Sequence, residues 1–291
     1  MTTSANTGPM TAPTDPLAAR LTGHESTLKS AVKPEAKPDV KLDVKPDVKP
    51  DLAPLCAMIF AAGRGERMRP LTDHTPKPLL PVGGKPLIVW QIERLAQAGF
   101  TRIVINHAWL GDLIEKTLGD GSSWGVHLSY SAEGSALETA GAIAQARPLL
   151  EYDGRPRVFV AVSGDVFSDF DYRTLRQRVE RAQALQAEEA PRLHLVMVPN
   201  PVYHAQGDFA LNGAQLSLEG TPRYTFASFG IYDTRMFNDL RAGEKKALLP
   251  YYQAAIAGGH ASGELYCGRW ENIGTVEQLQ ALDQALRCTV N

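Results

Sequence analysis

The stretch Ala61-Ala-Gly-Arg-Gly-Glu-Arg-Met-Arg-Pro70, with Thr75-Pro-Lys-Pro78 just behind it, carries the densest chemistry in the chain. Glycines there let backbone N–H groups come close to phosphate oxygens, and Arg64, Arg67, Arg69, Lys77 and Lys85 outnumber Glu66 and Asp73. A triphosphate needs several donors at once, and this loop offers them. A nucleotide is therefore expected on this loop, along Ala61, Ala62, Gly63, Gly65 and Arg67. The spacing fits neither common phosphate loop. A dinucleotide G-x-G-x-x-G needs glycine where Met68 stands, and G-x-x-x-x-G-K-[ST] is absent.

A second chemical position is Asp165, at the end of Val158-Phe-Val-Ala-Val-Ser-Gly-Asp165. An aspartate where a buried strand leaves the sheet is placed to bind Mg²⁺, which keeps waters and shares phosphate oxygens with the protein. Asp169 and Asp171, nearby, read instead as turn or N-cap residues. Asn106-His-Ala-Trp-Leu follows another strand; a turn role is open to Asn106 and helix-face packing to Trp109, and contact with a base to both. Around Tyr130-Ser-Ala-Glu-Gly134 and Leu137-Glu-Thr-Ala-Gly141, small residues allow a base and a sugar to lie against backbone. Glu133, Gly134 and Thr139 are expected on the nucleotide and Gly141 on the sugar. Asn200 and Asp208 read as sugar contacts or as loop caps.

The elements that must hold these residues follow from periodicity. Leu55–Ala61 is a short apolar run stopped by glycine, which suits a strand buried on both faces. Gly63–Pro86 carries five prolines and reads as a long ordered loop, the kind that is usually functional in a compact domain. A helix opens at Pro86 and stops at Gly99. Then strands at Ile103–Asn106, Val126–Tyr130, Val158–Val162 and Leu193–Val198 alternate with helices at Leu110–Leu118, Glu138–Leu149 and Tyr172–Glu189. That alternation implies a Rossmann-like α/β three-layer sandwich on a mainly parallel, mixed sheet. Phe209–Leu211, Leu216–Leu218 and Tyr224–Tyr232 look like a small antiparallel extension. A helix at Leu249–Ala257, a strand at Glu264–Cys267 and a helix at Val276–Leu286 complete the domain, expected to span 55–291.

Residues 1–54 are a different material. Lys37-Pro-Asp-Val, Lys41-Leu-Asp-Val, Lys45-Pro-Asp-Val and Lys49-Pro-Asp-Leu repeat a tetrapeptide whose prolines forbid a helix and whose single apolar residue cannot offset backbone ordering. A disordered, low-complexity tail is expected, with tethering to a partner as the functional alternative. Thirty basic against thirty-two acidic residues give a net charge of −2, which provides no global field for a nucleic-acid backbone. Three widely spaced cysteines form neither a disulfide framework nor a zinc site. No apolar run reaches the roughly 18 residues of a membrane span, and no secretory h-region precedes the domain. A cytoplasmic protein without nucleic-acid or membrane partners is expected, as a monomer or a dimer.

G-x-G-x-R with a downstream T-P-K-P resembles the sugar-1-phosphate nucleotidyltransferase family, and the resemblance extends from about Leu55 to Leu286. It implies the nucleotide-diphospho-sugar transferase fold and transfer of a nucleoside monophosphate from an NTP to a sugar 1-phosphate with release of pyrophosphate. It implies that Arg67 holds the β and γ phosphates and that Lys77 sits by the α-phosphorus. A late W-x-D-x-G-T motif would supply a second Mg²⁺ ligand. Here it reads Trp270-Glu-Asn-Ile-Gly-Thr275, so Asn272 takes that place with an oxygen but no charge. Asn106-His-Ala-Trp-Leu, Glu133-Gly134, Leu137 to Gly141 and Gly207-Asp-Phe209 look most like the branch that joins UTP to N-acetylmuramic acid 1-phosphate. Ala140 and Asn272 depart from it. Mannose-1-phosphate guanylyl transfer and glucose-1-phosphate thymidylyl or uridylyl transfer are the rivals within the family. From another class, Asn272 alone supports a non-catalytic nucleotide-sugar-binding subunit.

Overall fold

The computed structural model describes residues 54–151, 153–155, 157–184 and 192–288. The expected disordered tail lies outside the described residues up to position 53, and Pro54 is exposed.

The sheet begins with β1 (Cys56–Phe60), followed by the short pair β2 (Pro81–Val82) and β3 (Lys85–Pro86), helix α1 (Leu87–Gln97), β4 (Arg102–His107), α2 (Gly111–Leu118), β5 (His127–Ala132), α3 (Glu138–Leu150), β6 (Val158–Ser163), β7 (Val166–Ser168) and α4 (Arg173–Ala184). Then come β8 (Leu193–Val198), β9 (Phe209–Asn212), β10 (Gln215–Ser217), β11 (Arg223–Asp233), α5 (Leu249–Ala257), β12 (Ala261–Leu265), β13 (Trp270–Asn272) and α6 (Val276–Cys288). Nine strands form one mixed sheet in the order β5-β4-β1-β6-β11-β8-β12-β10-β9.

Every residue of β1 meets a core, because alternate side chains enter opposite faces. Ala57 and Ile59 pack with Ile88, Ile92 and Leu95 of α1, Ile114 of α2, and Leu175 and Val179 of α4. Cys56 and Met58 pack with α3 and with Tyr252 and Ala255 of α5. Two helical layers on one sheet are the expected three-layer sandwich, and double burial explains why these strands read as unbroken apolar runs. A third, smaller core joins Met68, Leu80 and Val82 to Phe167, Ile273, Leu279 and Leu282.

Three expectations are corrected, and a fourth is described only in part. The strand around Tyr224–Tyr232 is not part of an outlying extension. It runs antiparallel between β6 and β8 in the middle of the sheet, and only its first residues, Arg223 and Tyr224, pair with β9. The late strand is Ala261–Leu265, not Glu264–Cys267. Its small residues hide the pattern, and at Gly263 a Cβ would lie 3.1 Å from the Leu195 carbonyl, closer than an ordinary contact. The helix expected over Tyr172–Glu189 is described only as Arg173–Ala184, and its remainder lies outside the described residues. Finally, the Gly63–Pro86 loop contains three single 3₁₀ turns and the β2–β3 pair. Its prolines exclude α-helix but not these shorter turns.

Candidate active site

Where β1 ends, the chain leaves the sheet beside the end of β4, with Phe60 opposite Asn106. The Ala61 N–H donates to Asn106 Oδ1 at 3.1 Å. Asn106, buried, donates through Nδ2 to Glu133 Oε1 at 2.6 Å, and the other Glu133 oxygen accepts the Leu137 N–H at 2.8 Å. One hydrogen-bonded chain thus ties the ends of β1, β4 and β5 to the start of α3. Burial raises the Glu133 carboxyl pKa, and the bonds from Asn106 and Leu137 oppose that. A cavity of about 220 Å³ opens at this edge, lined by Ala61, Ala62, Gly63, Asn106, Glu133 and Thr139 and also by Lys77, Ser163 and Asp165. Glu138 lines it too, at φ 59°, a conformation rare for a residue with a Cβ and typical of functional positions.

The loop after β1 is braced internally. The Arg64 guanidinium lies 3.7 Å from the centre of the Trp109 ring, donates to the Thr72 carbonyl at 2.6 Å and pairs with Asp73 at 3.1 Å. Trp109 donates its own N–H to the same carbonyl at 3.0 Å. Trp109 thus braces the loop that carries Arg64 and Thr72. Gly65 takes φ 71°, and Thr72 Oγ1 donates to its carbonyl at 2.9 Å. These contacts seat Lys77, which begins a 3₁₀ turn between Pro76 and Pro78 and is buried. Pyrrolidine rings on both sides restrict that backbone. Lys77 Nζ stands 2.5 Å from Asp165 Oδ2.

Asp165 leaves β6 through Gly164, whose N–H donates to the Phe60 carbonyl at 2.9 Å. A Cβ there would lie 3.0 Å from that oxygen, so glycine eases the close approach. Ser163 Oγ donates to Asp165 Oδ1 at 2.6 Å. β13 pairs antiparallel with β7, setting Asn272 opposite Val166, and the Ile273 N–H donates to the Asp165 carbonyl at 2.9 Å. The two expected metal ligands, 107 residues apart in number, are thereby brought to one strand end. Asp169 and Asp171 stay out of the site: Asp169 accepts the Tyr266 hydroxyl, and Asp171 caps the start of α4 by accepting the Arg173 N–H at 3.0 Å. Among the described residues no group of three or more His, Cys, Asp or Glu side chains is placed to hold a metal. One carboxylate and one amide oxygen, completed by phosphate and water, is the hard and sparse donor set that suits Mg²⁺.

Arg67 does not line the cavity that Lys77 lines. It is exposed, and its guanidinium sits against Gly274, where a Cβ would be 3.0 Å from Nη2. The third core holds this arrangement, since Met68 next to Arg67 and Ile273 next to Asn272 are both fully buried within it. Thr275 and Gln278 complete the seat as a capping box on α6: Gln278 Oε1 accepts the Gly274 and Thr275 N–H groups at 2.7 and 3.0 Å, and the Gln278 N–H donates to Thr275 Oγ1 at 3.3 Å. Ile273→Ala is expected to cost about 2–5 kcal/mol in urea unfolding and to lower kcat together with stability. An unchanged unfolding midpoint would refute this packing role.

The expected sugar contacts fare differently. Gly141 is buried, and a Cβ on it would lie 2.3 Å from the Glu244 carbonyl, so this glycine lets α3 pack against the 244–246 segment and does not face the cavity. Asn200 is a loop brace: it donates to the Ala205 and Arg223 carbonyls at 3.1 and 3.0 Å and accepts from Thr225 at 2.9 Å. Gly134 is exposed at φ 66° on the turn after Glu133. Asp208 does line a cavity, of about 410 Å³, together with Tyr203, His204, Ser228 and Asn272. Another of about 340 Å³ shares Tyr203, Trp270 and Asn272 with it. Ser163, Tyr203, His204 and Ser228 were not anticipated. Ser163 could have been found from its hydroxyl beside Gly164-Asp165. Ser228 could not, because its φ of 62° arises from a register shift in β11 between Phe226 and Gly230.

Similarity to known proteins agrees with this geometry. The profile of the nucleotidyl transferase family matches residues 56–201. An N-acetylmuramate alpha-1-phosphate uridylyltransferase from Neisseria meningitidis serogroup B is 48% identical over 228 residues, which is 77% of this chain and 95% of that protein. A mannose-1-phosphate guanyltransferase beta-B from Xenopus laevis is 36% identical over 120 residues, 41% of this chain and 33% of its own length. In fold, the inositol-1-phosphate CTP transferase from T. maritima matches with a TM-score of 0.60 at 17% identity, covering 82% of this chain and 97% of that one. Matched across half its length by the profile and across most of it by a relative of similar size, the chain is an enzyme of the nucleotidyl transferase family.

Proposed function

We propose that the protein transfers UMP from UTP to N-acetylmuramic acid 1-phosphate, giving UDP-N-acetylmuramic acid and pyrophosphate, a step of cell-wall sugar recycling. The observation that carries the reaction type is the Lys77–Asp165 contact at the sheet edge, with Asn272 set across from it by strand pairing. The substrate choice is supported by the near full-length similarity to the Neisseria protein.

In this reading the nucleotide occupies the cavity at Ala61–Gly63, with Asn106, Glu133 and Thr139 toward the base and ribose. The acceptor phosphate approaches from the side of Asn272 and Trp270. A phosphate oxygen of the sugar attacks the α-phosphorus in line, the bond to the bridging oxygen breaks, and pyrophosphate leaves with the electron pair. The acceptor brings its own anionic nucleophile, so the chain's task is to align two anions that repel each other. Lys77 Nζ neutralises charge on the α-phosphoryl oxygens as the new bond forms. Arg67, which has no ion pair among the described residues, offers its donors to the β and γ phosphates. Mg²⁺ held by Asp165 and Asn272 would supply further charge neutralisation on the phosphates.

Pyrophosphate release with Mg²⁺, followed for UTP, dTTP, GTP, CTP and ATP against the 1-phosphates of N-acetylmuramic acid, mannose and glucose, tests this. Release confined to UTP with N-acetylmuramic acid 1-phosphate is the expected result. Release with GTP and mannose 1-phosphate, or with a glucose 1-phosphate pair, would replace the substrates. No release from folded protein that still binds nucleotide would overturn the reading.

Asn272 supplies an oxygen without a charge, so Asn272→Asp is expected to lower the Mg²⁺ concentration for half-maximal activity by about tenfold, worth roughly 1.4 kcal/mol. An unaltered Mg²⁺ titration would remove Asn272 from the ligand set. A cytoplasmic location is part of the proposal. Its supports are the free cysteines Cys56, Cys267 and Cys288, and the lack, among the described residues, of a helix long and apolar enough to cross a membrane.

A further inference from the structure

The acceptor proposed above differs from N-acetylglucosamine 1-phosphate by a lactyl ether, which ends in a carboxylate and carries a methyl group. A site that prefers the acidic sugar needs a cation placed apart from those that hold phosphate. Among the residues lining the 410 Å³ cavity, His204 alone has a side chain able to carry positive charge.

Its imidazole is held in place. His204 Nε2 stands 3.0 Å from Asp208 Oδ1, and Asp208 Oδ2 accepts the Phe226 N–H at 2.7 Å. Both carboxylate oxygens of Asp208 are thus engaged within the protein. With Nε2 turned toward Asp208, the other ring nitrogen, Nδ1, is turned away from it, and an imidazole protonated on both nitrogens donates through Nδ1 to a ligand. Phe226, Tyr252 and the half-exposed Leu249 line the same cavity and offer apolar surface for the methyl group. Asn272 and Trp270 connect this wall to the strand end that carries Asp165.

We infer that His204, positioned by Asp208, binds the carboxylate of the acceptor and sets the preference for an acidic over a neutral sugar 1-phosphate. This role rests on the substrate reading above. It assigns His204 to specificity, since the imidazole stands in a different cavity from Lys77.

Steady-state kinetics with UTP and Mg²⁺ test it, using N-acetylmuramic acid 1-phosphate and N-acetylglucosamine 1-phosphate as paired acceptors. His204→Gln is expected to raise KM for the acidic sugar about tenfold with kcat changed less than twofold, and to leave KM for the neutral sugar and for UTP nearly constant. His204→Lys, which restores a charge, is expected to recover most of the preference. An equal loss with both sugars, or an unchanged ratio in His204→Gln, would overturn the specificity role while leaving the substrate assignment standing. Wild-type protein that turns over the neutral sugar but not the acidic one would overturn the assignment and this role together.

Discussion

Lys77→Met is expected to lower kcat by about 10²–10³-fold, with a much smaller change in KM for the nucleotide. The magnitude is that of one preorganised donor lost from a site where charge develops. Lys77 is buried between two prolines and already oriented on Asp165, so its ammonium undergoes little reorganisation during reaction. Methionine keeps the length and removes the charge. Asp165 loses a partner but keeps the Ser163 hydroxyl and a side chain 27% exposed to water, so the stability cost should stay near 1–2 kcal/mol. Single-turnover assays beside thermal unfolding separate the two effects. A kcat within tenfold of wild type, from protein with an intact unfolding transition, would show that Lys77 serves Asp165 and not the phosphates. A double-mutant cycle with Asp165→Asn should be strongly non-additive, because the two side chains are in direct contact.

Gly65→Val is expected to reduce kcat/KM by about 10²-fold. Gly65 has φ 71°, and a Cβ there would lie 2.9 Å from Thr72 Cγ2 and 3.1 Å from Lys77 Cβ. The left-handed conformation costs a β-branched residue about 1–2 kcal/mol, and the added methyl groups press on the residue that must hold its position. Gly65→Ala should fall between wild type and valine, because its single Cβ makes the same contacts with fewer atoms. Equal activity in all three proteins would mean that the turn relaxes without moving Lys77.

These two predictions rest on residues that were legible in the sequence, and the reason is local. Ala61 to Pro70 and Thr75 to Pro78 are contiguous, glycine and proline state their backbone needs directly, and a buried parallel strand delivers its last residue to the ligand edge. Asp165 and Asn106 follow from the same rule. Asn272 was located by its motif, although the antiparallel pairing with β7 that brings it to Asp165 was not foreseen. Three-residue strands carry too little pattern to be recognised.

Gly141 and Asn200 show the limit. A glycine near a site can serve a ligand or another stretch of chain, and Gly141 serves the backbone at Glu244. An asparagine can meet a sugar or a carbonyl, and Asn200 meets the Ala205 and Arg223 carbonyls. Residue type states what can be donated or accepted, and only the partner's position decides which use is made.

Legible in the sequence alone were the strand–loop–helix order at the start of the domain, the double burial of the central strands, the glycine- and proline-rich loop with its lysine, and the aspartate at the sheet edge. Each depends on residues within a few positions of one another. Tertiary structure alone decided that β11 would run antiparallel through the middle of the sheet, that Met68 and Ile273 would share a core and so seat Arg67 and Asn272, and that His204 and Asp208 would face a cavity with Ser228. Those outcomes depend on contacts between segments far apart in the chain, where the gain from burying apolar surface selects one pairing and no local pattern records the choice.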